Sequence, residues 1–557
     1  MFLIKKSLKK RHVLYFSKIK LSSLGENLSI IKPGKKRMKM EQSNLILTID
    51  FGTQSVRVSI FDRNGNTLTC EKQTYEPAYF SSKPGYAEQD PAYYYECLCK
   101  CSQRISKNKD LMKRVKGITM TCFRDSAVLL DKDNKVIRPM ILWLDQRYAK
   151  CEKPLPLFSR LAFGLVGMSA VIQMNRRRTV ANWVKENEPE NFARINKYVA
   201  LSTYFNYKLT GNLIDSASDY TGHYPLNYKK KQWYKKPETH MQGQIFSIKK
   251  NQLCELVECE QEIGRISKKA SFETGFPEGL VIYACGSDKS CETLGTGVIK
   301  DTILSISLGT ACSVETSVNK FMSPSKFFPA YPSTLPGQFN LDVQVYRGYW
   351  MINWFLKEFG AMNINDLVID DVYPEDYNKN LFSIPAGSNG LLLQPFWGSN
   401  LDKPEVKGSI VGFSDSTTRL HVYKAIIEGI DYELRLASEG FAKNLRHGFN
   451  EIRIAGGGSR SDEICQITAD IFNLPVTRVQ TNETSSLGAA IIGFLATKEF
   501  KDANEAISSM VHPSITFKPN KDNAKIYEEL YQNCYKGLYP KLKDTYKYLF
   551  DFSARNR

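Results

Sequence analysis

At 557 residues, 42% of them hydrophobic, the chain is long enough for two large domains with full cores, and no run approaches the 18 apolar residues of a membrane span. The formal charge of +18 invites a nucleic-acid partner, but twelve Lys and Arg against the single acid Glu26 lie in residues 1–40, leaving 64 basic and 57 acidic residues elsewhere, which argues against that partner. Thirteen scattered cysteines suit free thiols in a reducing, cytoplasmic compartment, and the cluster Cys97-Leu98-Cys99-Lys100-Cys101 lacks the spacing of a zinc site.

In chain order, the basic segment 1–43 comes first and reads as an over-extended start in preference to a targeting segment or a binding arm, because the folded pattern begins abruptly at Leu45. A chain starting at Met40 is expected to fold and act like the whole. Leu45–Ile49 and Val56–Phe61 read as strands, the second alternating Val56, Val58 and Ile60 against polar residues, with a turn at Asn64-Gly65. Further strands are expected at Lys116–Thr121, Ala127–Leu130 and Met140–Trp143, and helices at Pro91–Ser106, Thr179–Glu186 and Ser202–Leu209, the last closed by Gly211. The second half repeats the scheme, with strands Thr302–Leu308 and Glu451–Ala455 and helices near Trp350–Phe359, Leu420–Leu445 and Ser461–Phe472. Strands alternating with long helices predict α/β layers duplicated at domain scale. The expected organisation is a basic extension (1–43), an N-terminal domain (44–297), a C-terminal domain (302–497) and a helical tail (498–557).

Two short stretches carry the chemistry. TIDFGTQSVRVSIFD at 48–62 and SISLGTACSVETS at 305–317 both run strand, Gly-Thr turn, strand. Gly52 can turn the chain where a side chain would meet an approaching phosphate, and the backbone with Thr53, Gln54 and Ser55 can donate to anionic oxygens. Asp50, at the strand end, makes sense beside a magnesium ion that bridges phosphates. Gly309 and Thr310 repeat the turn without the acid, so the pair suits an asymmetric polyphosphate such as ATP; a tight structural hairpin is the alternative for either one alone. Gly456, Gly457 and Gly458 follow a strand directly and would let a flat ring lie on bare backbone. In ACGSDKSCETLGTG at 284–297, Asp288 opens a helical run, as either an N-terminal helix cap or a general base at the mouth between the halves.

With these stretches stand GYAEQDP at 85–91, WLDQR at 143–147, AGGGSRSDEICQITADIFNLPV at 455–476 and ETSSLGAAIIG at 483–493. In this order they resemble the FGGY family of carbohydrate kinases, in the superfamily of hexokinase, actin and the heat-shock chaperone ATPases. The resemblance covers about Leu45 to Ala496. It implies two actin-like (ribonuclease H-like) domains hinged around a cleft, ATP between Gly52–Thr53 and Gly309–Thr310 with Gly456–Gly458, the base role on Asp288 and the magnesium role on Asp50. Each half then contributes one phosphate hairpin, and closure assembles the site and excludes water.

The acceptor is expected to be a small sugar or polyol, met by Trp143 as an apolar platform with Asp145 and Arg147, and by Arg124 and Asp125, which together could read a vicinal diol. Xylulokinases carry Gln-Met-His-Gly where this chain has Phe123-Arg124-Asp125-Ser126, so Asp125 stands in place of a sugar-contacting His. Glycerol kinases carry Arg-Glu there, whereas VIRPMILWLDQR at 136–147 is closer to xylulokinases, and QVYRGYWMINWF at 344–355 fits neither. A ketopentose such as xylulose or ribulose is the expected acceptor, with glycerol or another polyol next. A chaperone-like ATPase switch is the alternative of another class, and a catalytically silent sugar sensor a third. The expected partners are the small molecule alone, without nucleic acid or membrane, with a homodimer left open.

Overall fold

In the computed structural model, which describes residues 44–324, 328–359, 374–398, 403 and 405–555, strand β1 (Leu45–Phe51) is buried on both faces. That is the position of a central strand covered by helices on either side, and it accounts for the near-continuous apolar run. The basic segment 1–43 lies outside the described residues.

The N-terminal sheet is built from β1, β2 (Ser55–Phe61), β3 (Thr67–Thr74), β4 (Val115–Cys122), β5 (Glu262–Arg265) and β6 (Val281–Tyr283), in the order β5-β6-β4-β1-β2-β3. β1, β4 and β6 run parallel; β2, β3 and β5 are antiparallel to their neighbours. The C-terminal sheet uses β7 (Ile303–Leu308), β8 (Cys312–Val318), β9 (Tyr331–Pro332), β10 (Phe339–Val345), β11 (Glu451–Ala455), β12 (Val476–Val479) and β13 (Pro513–Phe517), in the order β9-β10-β8-β7-β11-β12-β13. Its parallel trio is β7, β11 and β12. Aside from β9, the two sheets have the same sequence of pairings, so the duplication expected from the two hairpins is a duplication of whole α/β domains. One difference marks the edge: β5 precedes its antiparallel partner β6 in the chain, whereas β13 follows its antiparallel partner β12.

Helix α1 (Pro91–Ile105) starts where Asp90 accepts from the Ala92 N–H and Pro91 fills the first turn. Helix α2 (Leu201–Thr210) ends at Gly211 with φ 87°, the left-handed cap that glycine permits. At the seam, α3 (Asp288–Gly295) crosses α7 (Thr484–Ala496). A Cβ on Gly295 would overlap the Thr484 carbonyl and one on Gly488 the Cys291 carbonyl, so the helices pass backbone to backbone. This crossing forms its own buried cluster with Ile46, Phe61, Leu294 and Leu487 between the two larger cores. In the second half α4 (Trp350–Phe359), α5 (Arg419–Leu445) and α6 (Asp462–Phe472) cover the sheet. The tail continues through α8 (Lys521–Leu530) and a π-helical turn at Tyr531–Tyr535 into α9 (Lys536–Arg555).

Most expected elements are present within a residue or two. The strand expected at Met140–Trp143 is only Met140–Ile141, because the Trp143 N–H turns to donate to Ser126 Oγ at 3.0 Å instead of continuing a ladder.

Candidate active site

Between the halves lies a cleft of about 1020 Å³, walled by both hairpin turns (Gly52–Ser55 and Gly309–Thr310), by Arg124, Asp125 and Trp143, and by Asp288 with Lys289. The site residues therefore converge, with the exceptions of Asp50, which is buried behind the first turn, and the glycine run.

The first turn closes through the Gly52 N–H donating to the Ser55 carbonyl at 3.0 Å. A Cβ at Gly52 would meet the protein only at ordinary contact, 3.4 Å from Ser55 O, so the fold alone does not demand glycine there. Thr53 Oγ1 accepts from Trp143 Nε1 at 3.2 Å, which leaves the hydroxyl proton free to be donated into the cleft. Asp50 has only loose partners, Ser486 Oγ at 3.4 Å and Arg57 Nη1 at 3.9 Å. Burial pushes its carboxyl up to about 7; Arg57 opposes, while Glu483, Asp288 and Glu292 add repulsion.

The second turn is splinted from behind: its Gly309 and Thr310 carbonyls accept from the Tyr349 and Trp350 N–H groups at the start of α4, at 3.0 and 3.2 Å. The glycine run differs from its sequence reading. Gly456 has φ 84° and a Cβ there would fall 2.7 Å from the Leu308 backbone; at Gly458 it would fall 2.5 Å from the Tyr349 ring. Only Gly457 faces open space. Two of the three glycines are thus required by packing against the end of β7, and one presents bare backbone.

Asp288 occupies the first turn of α3, half-buried, its Oδ1 accepting from the Lys289 N–H at 2.8 Å. Burial raises its carboxyl, Lys289 and Arg124 oppose, and Glu292 adds. Lys289 Nζ bonds Glu292 at 2.8 Å and Ser307 Oγ at 2.6 Å, tying α3 to β7. Although burial disfavours its ammonium, Glu292 and Asp288 hold it charged.

On the acceptor side, Arg124 and Asp125 face different partners and not one another. Arg124 reaches across to Asp342 on β10, Nη1 to Oδ2 at 2.6 Å, both side chains nearly enclosed. Asp125, at φ 57°, accepts from His223, from N–H at 2.9 Å and Nδ1 at 2.7 Å. The vicinal-diol pair expected from adjacency is therefore two separate units, an Arg124–Asp342 ion pair and a hydrogen-bonded Asp125–His223 pair. Asp145 and Arg147 form a brace: the Asp145 carboxylate accepts from Arg147 and from the Ala87 N–H, and Arg147 lies over the Tyr86 ring at 3.8 Å and bonds Glu88 at 2.7 Å. They fix the position of Trp143 through its chain neighbours. Sequence reading missed Lys289, His223 and Asp342; the first stood inside a quoted motif, and the other two carried no local pattern.

No three His, Cys, Asp or Glu side chains gather as a self-sufficient metal cluster among the described residues. Asp50, poorly partnered and surrounded by carboxylates, fits a divalent cation that takes its remaining ligands from phosphate oxygens and water.

The family model described as the FGGY family of carbohydrate kinases, N-terminal domain, matches residues 45–295, and its C-terminal domain matches residues 304–497. The chain is 28% identical over 517 residues to a xylulose kinase of Lactococcus lactis, covering 91% of this chain and 99% of that protein. Among solved structures it superimposes on a ligand-bound xylulose kinase from Lactobacillus acidophilus with TM-score 0.76 at 22% identity, covering 91% and 100% of the two chains. A gluconate kinase from the same organism gives TM-score 0.75 at 23% identity, covering 91% and 99%.

Proposed function

This chain belongs to the FGGY family of carbohydrate kinases, an ATP-dependent phosphotransferase acting on a sugar hydroxyl, and from that premise we propose that its acceptor is a ketopentose, xylulose or ribulose. The observation that carries the phosphotransfer reading is Asp288, a raised carboxyl lining the same cleft as both hairpin turns and Trp143. Similarity to xylulose kinases over nine-tenths of the chain supports the acceptor class.

In this reading Asp288 accepts the proton of the acceptor hydroxyl as its oxygen attacks the γ-phosphate, and Lys289, Thr53 and the hairpin N–H groups stabilise the transferring charge. Asp50 would hold Mg²⁺, which when bound neutralises the phosphates. Gly457 offers the nucleotide ring its bare surface. Residues 44–297 form the acceptor domain and 302–497 the nucleotide domain, flanked by the basic extension and the helical tail. No described helix is long and apolar enough to cross a membrane. The setting proposed is a reducing, cytoplasmic one, in which the thirteen cysteines, all unbridged, would remain thiols.

The test is ATP consumption against ketopentoses, glycerol, other polyols, gluconate and aldohexoses. A ketopentose is expected to give the highest kcat/KM. An aldohexose or gluconate as the best acceptor would refute the assignment.

A further inference from the structure

The loop 221–223 and Asp125 are shaped around one another. Asp125 sits in the left-handed region, at φ 57°, and Gly222 at φ 89°; a Cβ on Gly222 would lie 2.5 Å from the Asp125 carboxyl. A non-glycine residue spends free energy to hold such a backbone, and the opposing loop is stripped of its side chain at the point of contact. The product of both adjustments is a bidentate clasp on His223, whose N–H and Nδ1 both meet the Asp125 carboxylate.

That clasp fixes the imidazole. With Nδ1 donating to a carboxylate, Nε2 of the neutral ring is a hydrogen-bond acceptor. His223 is only 8% exposed and lines the cleft, yet Nε2 has no partner among the described residues. Asp342 Oδ1, of a residue that lines the same cleft, is likewise buried and without a partner among the described residues, its other oxygen being taken by Arg124. Buried polar atoms without partners are costly, and a site that leaves them so gains discrimination when a ligand satisfies them. Both orphans are acceptors, so what satisfies them is an O–H donor. A carboxylate has none to give.

We propose that His223 is a specificity-determining acceptor ligand, its Nε2 accepting a hydrogen bond from one substrate hydroxyl, with Asp125 as the residue that positions the ring. The inference rests on the carbohydrate-kinase reading but not on which sugar is preferred. It also explains how the chain does without a histidine at position 125: the imidazole comes from a different loop and the carboxylate at 125 aims it.

The experiment measures kcat and KM of wild type, His223→Ala, His223→Gln and Asp125→Asn on the best acceptor of the panel and on its monodeoxy analogues. Wild type is expected to lose about 10- to 100-fold in kcat/KM on one analogue. His223→Ala should lose about as much on the parent acceptor, mainly through KM, and lose nothing further on that analogue, with KM for ATP within about twofold of wild type. His223→Gln, which retains an acceptor oxygen, should recover part of the loss. Asp125→Asn should raise acceptor KM in the wild-type background and add little to His223→Ala. Equal losses on every analogue in both enzymes, or a His223→Ala enzyme that matches wild type on the parent, would overturn the proposal. So would a sugar acid as best acceptor whose carboxylate, and no hydroxyl, is what His223→Ala ceases to distinguish. If the best acceptor is another neutral polyol, the ketopentose assignment fails and the same analogue series on that polyol still decides the role of His223.

Discussion

Asp288 is half-buried, held by a backbone donor and faced by two cations, an arrangement suited to the proton-accepting role proposed for it. Asp288→Asn preserves the shape and removes that capacity, so turnover should fall by about 10²- to 10⁴-fold with ATP binding nearly intact, as read by steady-state rates and nucleotide titration. More than about a tenth of wild-type turnover would be too much for a lost general base. A second carboxylate makes a prediction in pH. Burial pushes Asp431 up to about 8, Glu428 adding and its bond from Thr468 Oγ1 opposing. Because the folded state binds this proton more tightly than the unfolded chain, whose carboxyl titrates near about 4, stability is lost as pH rises from about 4 to about 8. Asp431→Asn keeps an oxygen for Thr468 and removes the titration, so its melting temperature should gain on wild type steadily between about pH 5 and 8; a pH-independent offset would contradict this. The placement of Asp50 near a strand end and of Asp288 in the first turn of a helix was legible in sequence, because it is set by local chain geometry. His223 and Asp342 were not, because their partners come from distant loops and the functional atom is defined by what it fails to touch.

At the scale of elements, the two hairpins were readable because each places a Gly-Thr turn between two strands that are buried on both sides. Strand β3 escaped for the opposite reason: Thr67–Thr74 alternates exposed and half-exposed positions and has no apolar face to betray it. The glycine run was legible as special but its reasons were not, since a Cβ clash with Leu308 or Tyr349 exists only once β7, β11 and α4 are assembled. The three positions should therefore behave differently. Gly456→Ala, with a left-handed backbone and no room, should lower the melting temperature measurably and impair expression. Gly457→Ala should melt within a degree or two of wild type and instead raise KM for ATP. The reverse pattern would place the nucleotide elsewhere.

For the whole molecule, the Arg124–Asp342 pair joins a loop of the first half to a strand of the second across the cleft. Removing either partner strands a buried charge, so Arg124→Ala and Asp342→Ala should each cost about 3–5 kcal/mol in denaturant unfolding. The double variant should cost clearly less than the sum, because the second change removes the charge stranded by the first. Strict additivity would mean that the two charges do not depend on one another in solution. The duplication itself could be read from sequence, since it repeats a motif. The side on which each half meets the other could not, because it is decided by long-range pairs of this kind.

The backbone-to-backbone crossing of α3 and α7 has a bearing on how such an enzyme can change its diet. Asp288 is carried by a tightly constrained segment, since neither Gly295 nor Gly488 can acquire even a methyl group without prying the helices apart. Of the groups proposed to face the sugar, Asp125 and His223 sit on loops, while Asp342 sits on β10. In the proposed mechanism chemistry and taste are thus mounted on different hardware, and the loops bearing Asp125 and His223 could be rewritten for a new acceptor while the carboxylate proposed to take the proton stays where it is.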